Sequence, residues 1–133
     1  MSKKKPKVHW GAGGALAIPR FLMGHDDFRE LSPSALKVLL ALGYQYNGSN
    51  NGDLSATHKT MREWGGMAEA TLSRALRELQ ERNLIIKTRT NYKGRDGARC
   101  ALYGLTWAPI DECPGKMLEI HPSIVAPRKL SKG

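Results

Sequence analysis

The run at 67–86, MAEATLSRALRELQERNLII, constrains this chain more than any other stretch. Leu72, Ala75, Leu76 and Leu79 recur at the helical period, and Leu84, Ile85 and Ile86 follow as a short apolar run, so the spacing predicts a helix that passes directly into a strand. One face of that helix has to pack inward, and the other carries Glu69, Ala70, Ser73, Arg74 and Arg77. Small side chains near a helix N-terminus permit close approach to a duplex, leaving Ser73, Arg74 and Arg77 placed to meet phosphates or base edges. The plainer account is an amphipathic surface helix whose outer charges pair at i,i+4, Arg74 with Glu78 and Arg77 with Glu81. The flanking segments weigh on the choice.

The net charge of +9 is unevenly placed. Lys3, Lys4, Lys5 and Lys7 crowd the first seven residues, residues 84–107 carry five cations against one acid, and residues 8–83 balance to zero. A basic arm and a basic hairpin on either side of a neutral body point to a polyanionic partner, because solubility alone does not require such clustering. No run approaches the roughly 18 consecutive apolar residues of a membrane helix, and the basic start lacks the apolar stretch that a signal peptide needs next. The expectation is a cytoplasmic protein with no membrane contact and nucleic acid as its polyanion. Cys100 and Cys113 are too few and too isolated for a disulfide framework, and with His121 their spacing matches no common zinc pattern. Free thiols, and neither metal nor other cofactor, are expected.

Residues 1–17 read as a basic flexible arm, with Trp10 expected to lie back on the domain rather than to stack on a base. IPRFLMGHDDFREL offers Ile18, Phe21, Leu22, Met23, Phe28 and Leu31 for burial and reads as a strand or turn that packs on the helices. Contiguous His25, Asp26 and Asp27 cannot all point at one ion, so they read as a loop or a helix N-terminus. Ser32 is a helix cap with Pro33 at the first helical position, and the helix that follows carries a stripe of Leu36, Leu39, Leu40 and Gly43, widened by Val38, Leu42 and Tyr46. NGSNNGD at 47–53 reads as an exposed loop. Ser55 should cap a second helix running to about Trp64, with Met61 and Trp64 inward, and Gly65 and Gly66 permit a tight turn at positive φ. Beyond Ile86 comes a hairpin, its tip at 91–97 and its return strand from about Arg99 to Trp107. Tyr92, Lys93, Arg95 and Arg99 suit a phosphate backbone; the alternative is an ordinary hairpin kept soluble by its charges. Residues 108–133 hold four prolines and read as a tail whose apolar fragment, 117–124, docks on the domain or on a partner.

Helix, helix, turn, helix and two-stranded wing, in that order over residues 31–107, resemble the winged helix-turn-helix DNA-binding domains. The resemblance implies a mainly α fold with a small β-hairpin (α+β), a three-helix core plus wing, over a domain of 18–107. MAEATLSRALRELQERNLI carries it best, with two departures: Ala68 stands where a serine or threonine cap is usual, and Asn83 replaces the usual glycine after the helix. IPRFL, LSPSALKVLLAL, NNGDLSA and LYGLTWAPIDECPG are similar to small helix-turn-helix proteins of bacterial prophages, plasmids and other mobile elements. By that resemblance Glu69, Ala70, Thr71, Ser73, Arg74 and Arg77 become groove or phosphate contacts. Tyr92, Lys93, Arg95 and Arg99 become wing contacts, and the arm lysines Lys3, Lys4, Lys5 and Lys7 further backbone contacts.

The function implied is duplex-DNA binding for transcription control, with a replication initiator that binds origin repeats as the alternative and a protein-interaction winged helix as the competing class. RNA binding would favour single strands through Trp10 and Tyr92. Catalysis is not expected: His9, His25, His58 and His121 fall in separate segments, no glycine-rich phosphate loop opens a helix, and no serine sits in a nucleophile turn. The chain has no heptad run for pairing, which leaves open a homodimer or a second protein held through the C-terminal tail.

Overall fold

Two helices of 13 residues each pack against one another and supply half of the buried apolar core. A computed structural model describes residues 8–95 and 97–122, which form an α+β fold. Its elements are α1 (Arg20–Met23), α2 (Asp26–Arg29), α3 (Pro33–Gln45), α4 (His58–Arg62), α5 (Glu69–Glu81), β1 (Ile85–Arg89), β2 (Tyr92–Gly94), β3 (Gly97–Arg99) and β4 (Leu102–Leu105).

Helix α3 starts as its sequence requires, with Pro33 at the first position and the Ala35 N–H donating to Ser32 Oγ at 3.2 Å. Glu78 on α5 completes the cap: its carboxylate accepts from both the Ser32 N–H and the Ser32 hydroxyl at 2.8 Å. This is the reciprocal arrangement of a capping box, with the acid supplied across the fold instead of from the third helical position. Glu78→Ala orphans the Ser32 N–H, so we expect a loss of about 1–3 kcal/mol, and Glu78→Gln, which keeps an acceptor, a smaller one. Urea unfolding of the two variants measures the difference.

The buried side of α3 is Ala35, Val38, Leu39 and Leu42, with Ala41 and Gly43, while Leu36 is half-buried and Leu40 reaches solvent. The stripe is thus rotated from the expected one. At Gly43 the reason is direct: a Cβ there would stand 2.5 Å from Leu16 Cδ2, so Leu16 reaches the helix only over a glycine. The IPRFLMGHDDFREL stretch, read as a strand or turn, instead makes α1 and α2. His25 Nδ1 accepts the Asp27 N–H at 3.0 Å and so caps α2, the helix N-terminus anticipated for the His-Asp-Asp run. A single turn can aim only part of its side chains inward, and α1 buries Leu22 while Phe21 stays 66% exposed.

Helix α4 begins later than expected, capped by Thr57, whose Oγ1 accepts the Thr60 N–H at 3.1 Å. Ser55 cannot serve as the cap because its neighbourhood is held extended. Leu54 exchanges both backbone bonds with Tyr103, at 3.1 and 2.7 Å, and the Gln45 side chain binds the Ser55 N–H and C=O. Gly65 (φ 93) and Gly66 (φ 84) then turn the chain into α5, whose cap residue Ala68 makes no side-chain bond. At the other end Asn83 adopts φ 58, with Leu84 N–H on Leu79 C=O and Asn83 N–H on Gln80 C=O, the paired bonds of a Schellman motif.

Strand β1 pairs antiparallel with β4, Ile85 opposite Leu105, with a register shift between Lys87 and Arg89, and β2 pairs with β3, Tyr92 opposite Arg99. Tyr103 and Leu105 join the helix-side core, whereas Leu102 and Gly104 alternate to the opposite face. Ile110 covers that face, where a Cβ on Gly104 would lie 2.6 Å from its Cδ1.

Two segments depart from the reading of the sequence. The 47–53 loop is not wholly exposed: Asn51 is 0% accessible and Gly52 is buried with it. Asn51 Oδ1 accepts the Leu105 N–H at 2.7 Å, and Nδ2 donates to the carbonyls of Leu105, Ala108 and Pro109 at 2.9–3.1 Å. Its backbone exchanges two 2.8 Å bonds with Asp111. A polar residue enters the interior when its polar atoms find partners there. Of the segment read as a tail, residues 108–120 lie against the body, with Ile110 buried, the Glu119 N–H on Thr88 C=O at 2.6 Å, and the Thr90 N–H and hydroxyl on Glu119 Oε2. Trp10, expected on the domain, is 65% exposed; it is Trp107 that ties down this end, through Nε1 to the Ala17 carbonyl.

Candidate nucleic-acid interface

On α5, Leu72, Ala75 and Leu79 are buried. The face left open runs through Ala70, Ser73, Arg74 and Arg77, spaced i, i+3, i+4 and i+7, with Glu69 also exposed and Thr71 half-buried. Arg74 and Arg77 meet no carboxylate within 4 Å among the described residues. Glu78, the i+4 neighbour that the plainer account assigned to Arg74, is occupied by Ser32. Arg82, one residue beyond the helix, is spent elsewhere, 3.1 Å from Glu30.

With no side-chain cap, the first-turn N–H groups of α5 form a positive end that only the Glu69 carboxylate of the same turn offsets among the described residues. Lys37 of α3 extends over the adjacent turn, its Nζ 3.4 Å from where a Gly65 Cβ would stand, and with Ser34, Gly66, Ala68 and Thr71 it lines a shallow hollow there. Lys37 was not anticipated as a contact. It is the sole cation of α3 and visible in the sequence, but only the packing of α3 on α5 brings it beside the turn.

In the hairpin, Tyr92, Lys93, Arg95 and Arg99 are all exposed. Register brings Tyr92 opposite Arg99, and an Arg99 Nη1 proton points at Met117 Sδ, 2.8 Å away. Arg89 is committed to holding the fold. Its Nε and Nη2 donate to the Cys100 carbonyl at 3.3 and 2.8 Å, and Nη1 to that of Lys116 at 3.0 Å, bridging the junction between the ladders. Lys87 sits 5.9 Å from the Tyr103 ring centroid, within cation–π range. Lys3, Lys4, Lys5 and Lys7 lie outside the described residues.

No three His, Cys, Asp or Glu side chains gather to hold a metal among the described residues, and no helix there is long and apolar enough to cross a membrane. The two thiols differ. Cys100 is exposed, whereas burial first, and then the nearby Asp53 and Asp111 carboxylates, push the Cys113 thiol up. Iodoacetamide at neutral pH should therefore alkylate Cys100 first, with Cys113 following only as pH rises above the ordinary thiol value of about 8.5. Mass spectrometry of a labelling time course reads the order. Compared with known protein families, with characterised proteins and with solved structures, the chain matches none.

Proposed function

We propose that the protein is a winged helix-turn-helix that binds duplex DNA. Helices α4 and α5, with the two-glycine turn between them, form the helix-turn-helix, and the β1–β4 and β2–β3 ladders form the wing. The observation that carries the reading is the open face of α5: two guanidinium groups without carboxylate partners among the described residues, flanked by Ala70 and Ser73, which are small enough to let the helix enter a major groove. Arg74 and Arg77 supply base or phosphate contacts. Lys37 and the uncapped helix start face a phosphate, and Lys93 and Arg95 brace the backbone together with the arm lysines. Control of transcription is the use we assign to it.

Selection from pooled random duplexes, with single-stranded DNA and RNA controls at two salt concentrations, tests this. The expected result is an enriched duplex motif and a log–log salt slope near −0.9 per phosphate engaged. Sites at promoters support regulation, and direct repeats at an origin would assign it to replication instead. Weak, unselective duplex binding would overturn the reading in favour of a protein partner.

A further inference from the structure

Between the outer ladder of the hairpin and residues 117–119 lies a groove of about 310 Å³, lined by Arg89, Thr90, Tyr92, Arg99, Met117 and Glu119. Its apolar walls are uncovered: Tyr92 is 53% and Met117 68% exposed. Its polar walls are only partly used. Arg99 donates to a thioether sulfur, a weak acceptor, and its other N–H groups have no partner among the described residues. Glu119 Oε2 takes both Thr90 donors, while Oε1 takes none among the described residues.

This combination selects a ligand. An open carboxylate repels a bare phosphate or sulfate, so the occupant has to bring N–H donors to Glu119 and acceptors to Arg99, on a flat body that stacks on Tyr92. Guanine has that pattern: N1–H and the N2 amino group adjoin on one edge, and O6 and N7 accept on the other. Adenine and cytosine offer a single amino donor group, and thymine one ring N–H. In a duplex the N1–H is already paired, so the base must be unpaired. We propose that this groove holds one unpaired guanine base, placed there by a strand that continues beyond the bound duplex. The inference rests on the DNA-binding reading and adds a preference for a junction between double and single strand.

The test is fluorescence anisotropy of the full chain with a fixed blunt duplex and with the same duplex carrying a short overhang of guanine, adenine, thymine or abasic sugar. The guanine overhang is expected to tighten binding about tenfold, the size of one stacked base, and the abasic overhang to add nothing. Glu119→Gln, which retains an acceptor for Thr90, should remove the guanine preference and leave blunt-duplex affinity unchanged. Guanosine monophosphate serves as competitor: if it abolishes the overhang gain, free nucleotide enters the same groove, and if it does not, the base is delivered by the strand. Equal affinity for guanine and abasic overhangs overturns the proposal while tight blunt-duplex binding leaves the DNA reading standing. Should blunt duplex not bind, the DNA reading fails, and single strands with and without guanine still decide the groove, equal binding overturning it. If the Glu119 variant does not fold, the overhang series on the unmodified protein settles the matter.

Discussion

Asn51→Ala is expected to remove about 3–5 kcal/mol of folding stability, a large share of the 5–15 kcal/mol typical of a domain. The side chain is fully buried, accepts the Leu105 N–H and donates to three carbonyls, and it has two amide protons for those three acceptors, so one proton is shared. Truncation leaves the Leu105 N–H and at least one carbonyl without partners in the interior, at about 1–3 kcal/mol for each orphaned group. Water cannot easily replace them at a site closed by Gly104 and Ile110. Asn51→Asp should fare no better, since it loses the donor and sets a negative charge against three carbonyl oxygens. Urea unfolding followed by circular dichroism gives the number. A loss below about 1 kcal/mol would mean that the side chain is not what latches residues 105–111 to the body.

The Arg74→Ala, Arg77→Ala double variant is expected to weaken duplex binding by about 2–6 kcal/mol, taking 1–3 kcal/mol for each bidentate base contact. Stability should stay within about 0.5 kcal/mol of the parent, because both side chains are exposed and without carboxylate partners among the described residues. Titration against the selected duplex at two salt concentrations separates the ways this can come about. If the arginines touch phosphates, affinity falls evenly over all sequences and the salt slope becomes shallower by about one for each arginine lost; if they touch bases, the preferred motif relaxes at defined positions. Lysine at either position should restore the phosphate term but not a bidentate one. Unchanged binding in the double variant would remove α5 from the interface and direct attention to a protein partner.

Much of the path from sequence to fold was legible where the rule is local. Ser32 and Pro33 start a helix because a hydroxyl and a missing N–H suit that position, whatever lies beyond. Asn83 takes the left-handed conformation because asparagine tolerates it and the chain must leave α5, and Gly65 and Gly66 turn at positive φ for the corresponding reason. The apolar period of α5 predicted its buried face, and with it the exposure of Ser73, Arg74 and Arg77. Composition misled in the NGSNNGD loop, where turn-forming residues imply exposure only on average. It misled again in 108–116, where prolines exclude regular structure without excluding close packing.

What the sequence determined by itself, then, was where elements start and stop and which face of each helix is apolar, because those depend on residues within about four positions of one another. The tertiary structure decided which polar groups go inside and which charges stay free. Glu78 could have neutralised Arg74 one turn away; it serves Ser32, 46 positions distant, and that choice leaves Arg74 open. Asn51 is buried because Asp111, 60 positions on, and the carbonyls before it come round to meet it. A hydrogen bond or ion pair between distant segments exists only once the core has brought them together, so no local rule could assign its partner in advance.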